Sequence, residues 1–151
     1  MMIFVDADAT PRDVLSITRR VAKEADIALV TVSSINHNID GPNHIQVDAA
    51  PQATDMEIVK RMRADEQTIV ITQDYGLAAM VLARNGRAIS PSGRIFSNEN
   101  IDSLLAERAM SAKLRRSGKV RLRGPRARTA ADNAHFEEAL RRLINSFDEN
   151  A

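Results

Sequence analysis

Cysteine is absent from this 151-residue chain, which excludes disulfides, thiolate zinc sites and a cysteine nucleophile. Any metal must therefore take oxygen or histidine ligands. Aromatic residues are scarce, a single Tyr and four Phe, and none interrupts the basic run of the C-terminal third, so sequence-selective reading of a single strand by stacking has little support. No segment carries the roughly 18 consecutive apolar residues that a membrane span needs. A Gly-rich phosphate loop, a Ser-His-Asp order and a paired-histidine metal motif are all missing, and nucleotide-cofactor chemistry is not expected. The opening Met1-Met2-Ile3-Phe4-Val5-Asp6 has no basic flank and meets an acid after five residues, so no signal peptide is expected. A cytoplasmic protein with no membrane contact is expected.

What is present is ordinary globular composition, 44% hydrophobic and 27% charged, at the usual size of one domain. The expected unit is 1–151, made of an acidic α/β core over 1–96 and a helical part over 97–151 that holds a basic segment, 113–128. The net charge of +1 conceals a strong segregation. Residues 1–83 hold 7 Lys/Arg against 12 Asp/Glu, residues 84–128 hold 12 against 3, and residues 129–151 hold 2 against 5. An acidic half followed by a basic stretch is the pattern of a carboxylate site beside a polyanion track.

Along the chain, Met2 to Val5 reads as a buried strand. Thr10-Pro11 with Asp13 reads as a helix start, with Thr10 as N-cap, and Val14, Leu15, Ile17, Val21 and Ala22 follow at helical spacing. Ile27 to Val32 is a second strand and His44 to Val47 a third. Thr54 with Glu57 forms a capping box for a helix striped by Met56, Ile58, Val59 and Met62, which puts Asp55 in its first turn. Thr68 to Thr72 is a fourth strand ending at Gln73-Asp74, followed by an apolar helix to Ala83 and a stop at Gly86. Arg87 to Ser90 is a possible fifth strand. Ser97 caps a long helix to Gly118, and a last helix over Thr129 to Phe147 packs back on the body. Strands alternating with helices predict an α/β fold with a mostly parallel sheet of 4–5 strands, covered on both faces, plus C-terminal helices.

Ligands of such sheets sit beyond the C-terminal strand ends. Asp6 and Asp8 follow the first strand, Asp74 follows the fourth, and Asp55 opens the intervening helix. Four carboxylates on one rim repel one another unless a cation relieves them, and oxygen-only ligands suit Mg²⁺ or Mn²⁺. Each acid also has an ordinary use: an Asp after a strand makes an Asx-turn or a helix cap, and an Asp in a first turn favours the helix dipole. His37, His44 and His135 are expected to be plain surface residues.

Three segments, Val5-Asp6-Ala7-Asp8-Ala9-Thr10-Pro11, Thr54-Asp55-Met56-Glu57-Ile58-Val59 and Ile71-Thr72-Gln73-Asp74-Tyr75-Gly76-Leu77-Ala78, resemble motifs of the YaiI/YqxD family of uncharacterised bacterial proteins. Ser90-Pro91-Ser92-Gly93-Arg94, Glu99-Asn100-Ile101, Leu114-Arg115-Arg116-Ser117-Gly118 and Gly124-Pro125-Arg126 continue the likeness in the same order, over nearly the whole chain. The resemblance implies a three-layer α/β/α domain related to the PIN-like nucleases, which cut RNA or DNA phosphodiesters with acidic residues and Mg²⁺ or Mn²⁺. Carried over to this chain, the acids are Asp6, Asp55 and Asp74, with Asp8 added from the first motif. Thr10 stands where many members are expected to carry Cys, so no thiol takes part in this chain's chemistry.

The leading expectation is metal-dependent phosphodiester hydrolysis, with RNA ahead of DNA as substrate. The acids hold the metal, and Lys113, Arg115, Arg116, Lys119, Arg121, Arg123, Arg126 and Arg128 track the nucleic-acid backbone. Two alternatives stand beside it. One is a non-catalytic nucleic-acid- or protein-binding module whose acids cap helices. The other is a phosphatase of the haloacid-dehalogenase type, whose opening motif Ile3 to Thr10 also resembles, with Asp6 as nucleophile and Asp8 as general acid/base. Pro11 and the lack of an acid paired with Asp74 depart from that family's pattern.

Overall fold

The computed structural model describes residues 1–35, 41, 43–50, 52–118 and 126–149. Its sheet has six strands: β1 (Met2–Asp6), β2 (Ala28–Ser34), β3 (His44–Val47), β4 (Thr68–Ile71), β5 (Arg87–Ile89) and β6 (Ile95–Phe96), in the order β3-β2-β1-β4-β5-β6. Every pairing is parallel except β5 with β6. The expected 4–5 strands thus become six, because β6 is a two-residue return strand, too short to leave a periodicity in the sequence.

The helices are α1 (Arg12–Glu24), α2 (Ala53–Arg61), α3 (Tyr75–Ala83), α4 (Ile101–Ser117) and α5 (Ala130–Glu149). Side-chain alternation along the strands sorts them into two layers. Ile3, Val5, Ile69, Ile71 and Ile89 face one side, against Val14, Leu15 and Val21 of α1 and Phe136, Leu140 and Leu143 of α5. Phe4, Val32, Val70 and Ala88 face the other, against Ile58 and Val59 of α2, Leu77 and Val81 of α3, and Ile101 and Leu104 of α4. The result is the expected three-layer α/β/α arrangement. Its last helix packs into the core, with Phe136 and Leu140 fully buried.

Several helix starts differ in detail from the sequence expectation. Thr10 does not cap α1: its hydroxyl donates to the Asp6 carbonyl at 2.6 Å, and a single 3-10 turn, Ala7–Ala9, separates β1 from the helix. Thr54 does not cap α2 either; Gln52 occupies that place in a left-handed conformation, and Thr54 is used elsewhere. Met56 points outward, 60% exposed. Ser97 and Asn100 do exchange reciprocal bonds ahead of α4, Ser97 N–H to Asn100 Oδ1 at 2.9 Å and Asn100 N–H to Ser97 Oγ at 3.2 Å, and α4 ends at Gly118 with φ +68. Among the described residues no helix is long and apolar enough to cross a membrane.

The strand order reverses at β1. From β1 the chain moves outward to β2 and β3, then returns to place β4 on the other side of β1. The two flanking connections leave in opposite directions there, which opens a crevice beyond the C-terminal ends of β1 and β4.

Candidate functional site

The crevice holds a cavity of about 320 Å³ whose walls include Asp6, Asp8, Asp55, Asp74, Ser34 and Thr54. Asp6 ends β1 and is 5% exposed. Its Oδ2 accepts the Thr72 hydroxyl at 2.9 Å, and Thr72 Oγ1 accepts the Asp74 amide at 2.9 Å. One hydroxyl thereby ties the end of β1 to the turn after β4. Asp74 caps α3: its Oδ1 accepts from the amides of Gly76 at 2.8 Å and Leu77 at 3.3 Å, and from Arg108 of α4 at 3.2 Å. The ordinary use of an aspartate at a helix start and its exposure to the crevice coexist in this residue.

Asp55 lies in the first turn of α2, 8% exposed, and its carboxyl is close enough to that of Asp74 for each to shift the other. Two carboxyls in that relation titrate as a pair. Burial, then the charge of Asp74 and its hydrogen bond, then the charge of Asp6, push Asp55 up to about 7. Burial also acts upward on Asp74, but the Leu77 amide, the bond from Asp55, the Gly76 amide and Arg108 outweigh it and hold Asp74 below the ordinary carboxylate range. Asp6 is raised by burial and by the charges of Asp8 and Asp74, against the Thr72 bond. Of the two, Asp55 is the one driven toward its protonated form.

Asp8 lines the same cavity with its oxygens engaged. Oδ1 and Oδ2 accept the Ser34 amide at 2.9 and 3.2 Å, and Oδ2 also accepts the Thr54 hydroxyl at 2.9 Å. It therefore joins the turn after β1 to the end of β2 and to the start of α2, holding Asp55 in place.

The donor set is all oxygen and over-supplied with negative charge, which suits a hard divalent cation by type. In this arrangement, however, no three His, Asp or Glu groups among the described residues are placed to hold a metal ion. A cation at these oxygens would compete with the proton that the raised pKa of Asp55 favours. The geometry lends no support to Asp6 as a phosphatase nucleophile, because its carboxylate is buried under Thr72 and the acid/base partner that reading requires, Asp8, is tied to Ser34 and Thr54.

Among the basic residues, Lys113, Arg115 and Arg116 are exposed on the last turns of α4 and make no ion pair among the described residues. Arg126 pairs with Asp132 at 2.8 Å, and Arg128 donates through Nε to Asn133. Lys119, Arg121 and Arg123 lie outside the described residues, as does His37. His44 is not a plain surface residue: both ring nitrogens bond β2 hydroxyls, Thr31 at 2.6 Å and Ser33 at 2.9 Å, so it fastens β3 to β2. His135 is exposed as expected. Sequence reasoning missed Thr72 and Arg108. Arg108 stands four residues after Leu104 and seven after Ile101, both buried, so helical spacing alone would have turned it toward the sheet and Asp74.

Comparison with known proteins gives a consistent picture. A family model described as "Uncharacterized BCR, YaiI/YqxD family" matches residues 4–146. A UPF0178 protein of Heliobacterium modesticaldum is 38% identical over 148 residues, covering 98% of this chain and 99% of that one. Another, of Exiguobacterium sibiricum, is 42% identical over 144 residues, covering 95% and 96%. No solved structure matches the chain significantly.

Proposed function

The chain belongs to the YaiI/YqxD family, whose description assigns no reaction, and we propose from its site that it is a Mg²⁺- or Mn²⁺-dependent hydrolase of nucleic-acid phosphodiesters, RNA first. One observation carries this reading: the carboxylates of Asp6, Asp8, Asp55 and Asp74 converge on a single cavity at the point where the strand order reverses.

In this reading Asp6, Asp55 and Asp74 hold the cation, and Asp8 holds α2 and the β2 end so that Asp55 faces the cavity. A bound divalent cation supplies a water of lowered pKa and offsets charge on the phosphoryl oxygens. Asp55, raised to about 7 by burial and by Asp74, would give up its proton as the cation binds, which makes loading of the site depend on pH. Arg108, 58% exposed beside Asp74, is positioned to meet an incoming phosphate. The exposed cations of α4 bring the polyanion to the rim.

Titration calorimetry with Mn²⁺, repeated in buffers of different ionisation enthalpy near pH 6, tests this directly. The expected result is saturable binding with about one proton released per ion, lost in Asp74→Asn and in Asp55→Asn. The absence of a ready-made metal group among the described residues favours a second reading, a nucleic-acid-binding module that does not turn over. No Mn²⁺ binding together with retained oligonucleotide binding selects that module.

A further inference from the structure

The segment Gln73-Asp74-Tyr75 separates two cavities. Asp74 faces the acidic one, while Gln73 and Tyr75 line a second and larger one, about 520 Å³, which lies within the range of small-ligand sites. Its remaining walls come from the β5–β6 turn, through Ser90, Ser92 and Arg94, and from the approach to α5, through Arg126 and Arg128.

The chemistry of this second cavity is opposite to that of the first. One terminal nitrogen of Arg128, Nη2, is buried without a hydrogen-bond partner among the described residues. A buried guanidinium N–H left unmade is costly, and it is a donor waiting for an acceptor. Arg94 makes no ion pair among the described residues and is exposed at the cavity mouth. The one carboxylate present, Asp132, is occupied by Arg126 at 2.8 Å and by the Thr129 amide and hydroxyl at 2.9 and 3.1 Å. Three arginines thus face one committed acid. The Ser90 and Ser92 hydroxyls, 2.7 Å apart, add short polar groups at the turn, and Tyr75, set edge-on to Phe96 at 5.6 Å, adds an aromatic wall.

We propose that this cavity is a phosphate subsite for the nucleic-acid strand, in which Arg94, Arg126 and Arg128 grip the phosphate next to the one presented to the aspartates and Tyr75 lies against its base. This rests on the nucleic-acid reading and deepens it. The subsite fixes the direction in which a strand crosses the rim, from the arginines, past Tyr75, to the acids.

The test is binding of a fluorescent single-stranded RNA hexamer, 5′-phosphorylated or 5′-hydroxyl, measured in EDTA so that cleavage plays no part. Arg94→Gln and Arg128→Gln are each expected to weaken binding about tenfold, to lower the slope of log affinity on log salt by about 0.7, and to leave Mn²⁺ binding by the wild-type acids intact. Arg94 is exposed, so its variant keeps the test valid if Arg128→Gln fails to fold. An equal loss with both hexamers identifies an internal phosphodiester in the subsite, and a loss with the phosphorylated hexamer alone identifies a terminal phosphate. Less than a twofold change with either hexamer in the folded variants overturns the subsite. That failure leaves the hydrolase reading standing, whereas absence of Mn²⁺ binding with the arginine effects intact removes the hydrolase and keeps the subsite.

Discussion

Asp55 and Asp74 are two identical side chains set apart by their surroundings. Asp74 receives two amides and a guanidinium, while Asp55 is buried beside other acids and the charge of Arg108 only partly offsets this. The consequence for stability has a definite sign. An acid whose pKa is higher in the folded chain binds an extra proton there, so its contribution is complete below its ordinary value of 3.8 and is lost as pH rises toward about 7. Asp55→Asn removes that loss. The variant is expected to match wild type near pH 4 and to exceed it at pH 8 by about 1 to 2 kcal/mol after allowance for solvent screening, roughly 2 to 8 °C in melting temperature. Thermal melts across that range check it, and a variant less stable than wild type at pH 8 would show that the carboxyl is an ordinary structural contact. The four aspartates were legible in the sequence because each follows a strand or opens a helix. What stayed hidden was the division of labour among them, since it depends on Thr72, Ser34 and Thr54, hydroxyls and an amide from distant segments that no spacing rule connects.

Elements were legible where their signals were long. The apolar stripe of α1 appears where the pattern placed it, whereas the expected cap Ser97 stands three residues ahead of the actual N-cap of α4, Asn100, and bonds it reciprocally. Errors fell on short-range polar groups: Thr10 and Thr54 have the sequence look of N-caps, yet a nearby carbonyl and the Asp8 carboxylate claim their hydroxyls instead. A tertiary partner outbids the helix end at Thr54, and a carbonyl four residues back does so at Thr10. Helix α5 contributes Phe136, Ala139, Leu140, Leu143 and Phe147 to the same core cluster as residues of β1, β4, β5 and α1. Phe136→Ala is expected to cost about 3 to 5 kcal/mol, read as a fall in the urea midpoint. By contrast, the exposed Arg20–Glu137 and Arg141–Glu24 pairs between α1 and α5 contribute little each.

Across the whole molecule, the charge segregation visible in composition acquires a geometry. The acids gather in the crevice at β1 and β4, and cations stand on the end of α4 and around the second cavity. Neutralising Lys113, Arg115 and Arg116 together to Gln is expected to leave the melting temperature within about 2 °C and to flatten the salt dependence of oligonucleotide binding by about 2 slope units. An unchanged slope would assign those residues to the dipole at the helix end rather than to a polyanion. The arrangement of layers also bears on how the chain is made. Because α5 completes, beside α1, the cover over the face of the sheet formed by Ile3, Val5, Ile69 and Ile71, a nascent chain on the ribosome carries that face only partly covered until α5 has emerged. Chaperone capture during translation should therefore peak late, after β4 is out and before α5 can dock.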